Sequence, residues 1–391
     1  MKKSRFKMFA PCYYGFFISG AMVLMVGAIL PYIIEEAEIN YSVAGGLLSA
    51  FAVGNLLASF VNPVLAGKIG RRLTTVILVA MIPIMLVLIT LLVPVPVMYA
   101  AMVLLGIGRG SVSIINNAIV NDNSGGKPAA LNLLHMTFAV GAFLSPFLTA
   151  VFIENGLGWR MVVYCIAACF VVACFGYLFM EMDYDFPPKK DKAAAEIADR
   201  KPFYKEPLFY CMGFLLFMYL GLENCVNGWF VTYFKSMGIM SSAYATGLVS
   251  VTWIMVMAGR LLTARLSAVI NKNKLIFAYC VATAAFFIML ITTHNLAVIT
   301  IAIAGLGFFF AGIYPTSISS VGHIVKGSNT GMSMLLALSA LGGIVTPQIV
   351  GIVADFAGMT GGIILLSVNA VGMLVLAFMG IKLNKNNAVK F

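Results

Sequence analysis

Glu223 is an acidic residue in the middle of a long apolar stretch, 207–234. Tyr219 and Asn227 stand four residues to either side, so a helix through this stretch presents all three on one face. A charge at membrane depth costs roughly 2.5–3.5 kcal/mol on insertion scales. Such an acid must face a cavity or a partner, and taking up a proton relieves the cost. That is the physical requirement for linking proton movement to another process. The competing reading is a structural carboxylate, held by a neighbouring helix and doing no chemistry.

Arg109 is the matching base, deep in the stretch 97–120. It shares a helix face with Ser113 and Asn116, and Asn117 lies beside them. A guanidinium offers a planar fork of donors that suits carboxylates and hydroxyl-rich solutes alike. Its bland reading is an ion pair, with Glu223 as the acid. Around these two charges, Asn116, Asn117, Tyr219, Asn227, Trp229, Trp253 and Tyr314 are the candidate solute contacts. The rings could stack on a sugar face or hold a hydrophobic compound, as could Phe310; Trp229 equally fits an interfacial anchor. Asn55, Ser59 and Asn62 form a further polar stripe, better read as helix glue at about 0.6 kcal/mol each. His135, alone near a span end, reads as a structural hydrogen-bonding group.

Other chemistries are excluded. Gly106-Ile-Gly-Arg-Gly110 has the glycines of a phosphate loop, but no strand precedes it and no Lys-Ser follows. No Walker motif occurs anywhere in the sequence. The seven cysteines all fall in apolar stretches, with no Cys-x-x-Cys pair and no metal-ligand spacing, so no disulfide, metal or cofactor is expected.

The elements that must position these residues are apolar helices. The chain is 61% hydrophobic and 10% charged, against about 25% charged for a soluble domain. A span needs roughly 20 mostly apolar residues. Spans are expected near 9–34, 41–66, 73–93, 97–120, 129–153, 159–180, 207–234, 240–267, 274–293, 296–322, 329–354 and 360–381. The Met-Lys-Lys-Ser-Arg start imitates a signal peptide, but the apolar run behind it is too long, and it is read as the first span.

The net charge of +11 does not mark a nucleic-acid partner. With the N-terminus inside, basic residues gather on one face: Lys2, Lys3, Arg5 and Lys7; Lys68, Arg71 and Arg72; Lys189, Lys190, Lys192, Arg200, Lys201 and Lys205; Arg260, Arg265, Lys272 and Lys274; Lys382, Lys385 and Lys390. Only Arg160 and Lys235 fall on the other side. This bias places both termini in the cytoplasm of a multi-pass protein of the cytoplasmic membrane. The sequon Asn40-Tyr-Ser42 sits in a loop too close to the bilayer to carry weight.

The second half repeats the first. Gly46-Leu-Leu-Ser49 recurs as Gly247-Leu-Val-Ser250, Gly141-Ala-Phe-Leu-Ser-Pro146 as Gly342-Gly-Ile-Val-Thr-Pro347, and Glu154 as Asp355, each pair 201 positions apart. The expected fold is an all-α integral membrane protein of twelve spans in two pseudo-symmetric six-helix bundles. Residues 1–182 form one bundle and 207–391 the other. Between them, 183–206 makes a cytoplasmic linker whose Ala-Glu-Ile-Ala stretch could form a short surface helix. Many secondary transporters have this architecture, with the solute bound where the repeats meet.

The residues after the second span narrow this further. Leu65-Ala-Gly-Lys-Ile-Gly-Arg-Arg72 resembles the motif between helices 2 and 3 of the major facilitator superfamily. Lys68 stands for the first arginine there, and Gly70, Arg71 and Arg72 fit. Gly67 occupies the aspartate position, so a gating salt bridge from that aspartate is not expected. The resemblance makes Lys68, Gly70, Arg71 and Arg72 the gating turn. Three segments resemble the fucose-permease-like branch: Leu131-Asn-Leu-Leu-His135 with Phe138 and Gly141 to Pro146; Tyr219-Leu-Gly-Leu-Glu223 with Trp229; and Gly342 to Pro347 with Gly351 and Asp355. That branch implies solute–proton symport, often of sugars.

Three functions compete. The first is a proton-coupled importer of a small polar solute, a sugar or sugar derivative, in which Glu223 and Arg109 carry the coupling. The second is a proton-driven exporter of hydrophobic compounds, for which 24 methionines would suit a promiscuous pocket. It lacks the Gly-x-x-x-Gly-Pro pattern that similar antiporters carry in helix 5. The third is a membrane sensor or scaffold, which no appended soluble domain supports. The expected partners are a small solute, protons and the lipid bilayer, with a single chain as the functional unit.

Overall fold

A computed structural model describes residues 2–124, 128–180, 202–325 and 328–388. The expected surface helix of the linker, Lys190 and most of the 183–206 segment lie outside the described residues, and Lys205 closes a short 3-10 turn, Phe203–Lys205. Twelve helices follow one another: α1 (Lys2–Glu36), α2 (Tyr41–Ile69), α3 (Arg71–Thr90), α4 (Val95–Asn123), α5 (Pro128–Glu154), α6 (Gly158–Leu178), α7 (Pro207–Ser236), α8 (Ser242–Val269), α9 (Lys272–Thr292), α10 (Leu296–Val325), α11 (Asn329–Leu365) and α12 (Ser367–Ala388).

Eleven stretches among the described residues are long and apolar enough to cross a membrane. The last, Thr330–Leu383, has 54 residues. Straight, it would reach about 80 Å, far beyond the roughly 30 Å of bilayer hydrocarbon. Gly358 breaks it, at φ 72° and ψ 168°. Just beyond the break, a side chain on Gly362 would press on the Val350 carbonyl and on Ala354, so the chain doubles back closely on itself. The stretch therefore supplies two crossings, matching the expected spans 329–354 and 360–381. This is the all-helical twelve-span fold expected from the sequence.

The chain forms two compact units. The first holds the described residues of 1–189 together with Asn227–Lys235 of α7 and Ser241–Ser250 around the start of α8. The second holds the rest of α7 and α8 with α9 to α12. In the first unit α2 packs on α4, α1 on α5, and α3 on α4 and α6. Apolar helices gain little by pairing in lipid, so close backbone approach decides which faces meet. A Cβ on Gly106 would strike the Phe51 carbonyl, and one on Gly141 the Phe17 carbonyl. The second unit repeats both contacts: Gly307 against the Thr252 carbonyl and Gly342 against the Phe217 carbonyl. The duplication seen as letters is thus a duplication of helix contacts.

Both exceptions to the charge bias have partners within the first unit. Arg160 Nη1 pairs with Glu36 Oε2 at 2.6 Å, and its Nε donates to the Thr90 carbonyl. Glu36 also accepts from the Trp159 indole at 2.7 Å. Lys235 Nζ lies 3.8 Å from the centre of the Tyr32 ring. Asn40 caps α2 by accepting from Val43 N, a structural use of the sequon asparagine.

Candidate functional site

In the second unit, the Tyr219 hydroxyl lies 2.9 Å from Glu223 Oε1, one helical turn further along α7. The same hydroxyl lies 3.2 Å from the Phe310 carbonyl on α10. The Tyr219 ring is 3% exposed and packs edge-on against Phe310, with Tyr314 of α10 6.1 Å away. Glu223 and Tyr314 are only half-buried. The acid is therefore anchored on one oxygen by a buried phenol, and the residue as a whole keeps partial exposure. The residue behind it, Asn224, donates to the Gly343 carbonyl of α11, which fixes the rotation of α7. Trp253 on α8 is 5% exposed.

Arg260 also belongs to this corner, and sequence reading placed it among the cytoplasmic turns. It sits well inside α8, which runs on to Val269, and it is exposed. It and Glu223 both lie within electrostatic reach of the Tyr219 hydroxyl. The available signal was register: Arg260 follows Trp253 by seven residues and so shares its helix face.

The polar residues of α4 separate in the first unit. Arg109 Nη1 donates to Asn55 Oδ1 on α2 at 2.7 Å, and its guanidinium lies 5.5 Å from the Phe138 ring of α5. Asn116 is fully buried, with its amide nitrogen on the Cys12 carbonyl of α1 and the Tyr177 hydroxyl of α6. It holds three helices together inside the unit. Asn117 is half-buried and donates back to the Ser113 carbonyl of its own helix. Asn62 bonds Ser111, which makes it the helix glue expected of that stripe. His135 stands edge-on to Phe16.

Two aromatic and amide candidates of α7 lie in the segment that joins the first unit. Trp229 is fully buried, edge-on to Tyr41. That burial removes the interfacial-anchor reading. The Asn227 carbonyl faces Gly27 of α1, where any side chain would collide with it.

At the α2–α3 turn, Gly70 has φ 83°, a conformation that favours glycine. Its carbonyl accepts from Thr74 Oγ1, and the turn points Arg71 at Asp122 on α4, with Nη1 2.9 Å from Oδ2. Lys68 is exposed and Arg72 half-buried. The Gly67 position opens onto empty space. The turn is therefore tied to α4 by Arg71, with no acid at Gly67.

Comparison with known proteins agrees with this architecture. The chain is 22% identical over 369 residues to the uncharacterized MFS-type transporter YfkL of Bacillus subtilis (strain 168), covering 92% of each chain. The fold is similar to the crystal structure of the nucleoside transporter NupG, at TM-score 0.74, 14% identity and coverage of 97% of this chain and 98% of that one. It is equally similar to the crystal structure of a D-xylose-proton symporter, at TM-score 0.74, 13% identity and coverage of 96% and 97%. A family model described as Major Facilitator Superfamily matches residues 12–347, and the chain belongs to that superfamily of secondary transporters.

Proposed function

We propose that this chain is a proton-coupled secondary transporter that moves a small polar solute, a sugar or sugar derivative, across the cytoplasmic membrane by alternating access. The observation that carries the reading is the half-buried Glu223, held by the Tyr219 hydroxyl in the middle of the apolar α7. An acid so placed can load and release a proton without leaving its position, which is what coupling demands. Tyr314, next to the Tyr219 ring, offers a ring for a sugar face, and Trp253 and Arg260, which share a face of α8, are proposed to add a second ring and a donor fork. Arg109, braced by Asn55, and Asn117 are the solute-facing groups proposed for the first unit. Asn116 is left out of that set because its amide is already engaged. Both termini are cytoplasmic and a single chain is the functional unit in this reading. The likeness of three segments to the fucose-permease-like branch supports it.

The test is uptake into proteoliposomes under an imposed pH gradient. The probes are radiolabelled D-xylose, L-fucose and uridine, with ethidium as a hydrophobic cation. Accumulation of a polar probe that collapses with a protonophore is the expected result. Proton-driven movement of ethidium alone would transfer the chain to the exporter class.

A further inference from the structure

Tyr219 stands between two acceptors but owns one proton. Its oxygen lies within hydrogen-bond distance of Glu223 Oε1, at 2.9 Å, and of the Phe310 carbonyl, at 3.2 Å. A phenol donates once and accepts as well, while an ionised carboxylate only accepts. Which acceptor receives the proton therefore depends on whether Glu223 is charged. Charged, Glu223 draws the phenolic proton, because hydrogen bonds to ionised groups are the stronger ones. Neutral, Glu223 has its own O–H to give to the Tyr219 oxygen. The phenolic O–H is then free to turn to Phe310.

We propose that Tyr219 is a positioning residue that relays the protonation state of Glu223 to α10 by switching its hydrogen bond between the Glu223 carboxylate and the Phe310 carbonyl. The proposal rests on the coupling role given to Glu223 above. No covalent bond of Tyr219 breaks: one proton arrives from water on Glu223, and the phenol only rotates its own. The receiving carbonyl is well placed to matter. Pro315 lies inside α10 and supplies no N–H to the Ala311 carbonyl, so the helix is already weakened one residue beyond Phe310. A second bond at the Phe310 carbonyl ties α7 to the edge of that weak point. Among the described residues, Tyr314 of α10 stands beside the switch and Arg260 of α8 lies within electrostatic reach of the Tyr219 hydroxyl. The buried Tyr219 ring, edge-on to Phe310, keeps the oxygen in place while its hydrogen turns.

The test needs no solute. Full-length protein in liposomes is taken through a pH titration, and infrared difference spectra are recorded. Glu223→Gln identifies the Glu223 carboxylic-acid band by its loss. The expected result is a tyrosine C–O band that changes in step with the Glu223 band in the parent protein. In Tyr219→Phe that tyrosine change should vanish, and the Glu223 acid band should move to higher wavenumber because its acceptor is gone. A parent protein whose tyrosine band stays constant while Glu223 titrates overturns the relay and leaves the coupling role of Glu223 standing. An unmoved acid band in Tyr219→Phe also overturns it. Absence of any Glu223-dependent band across the pH range sinks the coupling reading itself, and the relay with it.

Discussion

At the scale of single residues, the acid and the amide of this chain separate into two kinds of polar group. Glu223→Gln keeps the shape of the neutral acid but cannot release a proton. Such a variant should exchange solute across the membrane as the parent does and lose accumulation against a gradient, read as the ratio of counterflow to pH-driven uptake. Undiminished accumulation would leave Glu223 a structural carboxylate. Asn116→Ala should act on stability. It strips the Tyr177 hydroxyl and the Cys12 carbonyl of a buried donor and should cost about 1–3 kcal/mol. Asn117→Ala, whose amide bonds only within α4, should leave the thermal unfolding midpoint in detergent nearly unchanged. Glu223 and Tyr219 were legible because a spacing of four in a helix makes contact a consequence of geometry. The role of Asn116 was not legible. Face-sharing with Arg109 says which side of α4 the residue is on, whereas its partners come from α1 and α6, distant in sequence. Arg260 was obscured for the opposite reason: it was grouped with the basic turn that follows it, although the expected span 240–267 already ran past it, as α8 does.

Helix pairs give a more predictable response. Gly106→Val sets a branched side chain where the Phe51 carbonyl passes, so α2 and α4 must part. We expect loss of a folded, monodisperse peak in size-exclusion chromatography. Gly307→Val should do the same through the Thr252 carbonyl. Gly67→Ala is the contrasting case, because nothing stands within 4 Å of the added carbon. Replacing a helix-interior glycine that has this freedom should stabilise by about 0.5–1 kcal/mol, seen as a higher unfolding midpoint. Unchanged folding of Gly106→Val would show that α2 and α4 can separate without harm. The spans were readable because apolar length is a local property; the glycine seams were not read, since the glycines of 106–110 were weighed only as a phosphate loop. The repeat was the one hint of pairing: the glycines of the two repeated contacts are 201 apart, and their partner carbonyls 201 and 200 apart. The share of α7 and α8 that each unit takes was not readable, since no break in composition marks Asn227 or Ser250.

For the whole molecule, charge asymmetry makes a directional claim. Lys68→Cys and Lys272→Cys should react with a membrane-impermeant maleimide from one side only, and Glu38→Cys from the other, in right-side-out against inverted vesicles. Lys68 and Lys272 labelling from opposite faces would break the twelve-span order. The fold class was legible in the sequence because hydrophobicity and basic loops are properties of the whole chain. The last two spans carry a consequence for how the protein is made. From Lys326 to Lys382 the only charged residue between is Asp355, and the turn itself is a single glycine, Gly358. Leaving the insertion machinery one span at a time requires a polar loop to hold the water side while the next span waits. Here that loop is only a few residues with Asp355 as its one charge, so we expect the hairpin to enter the bilayer as a pair. A ribosome stalled between the two would leave Val350 and Ala354 of the first span without the Gly362 backbone that closes against them.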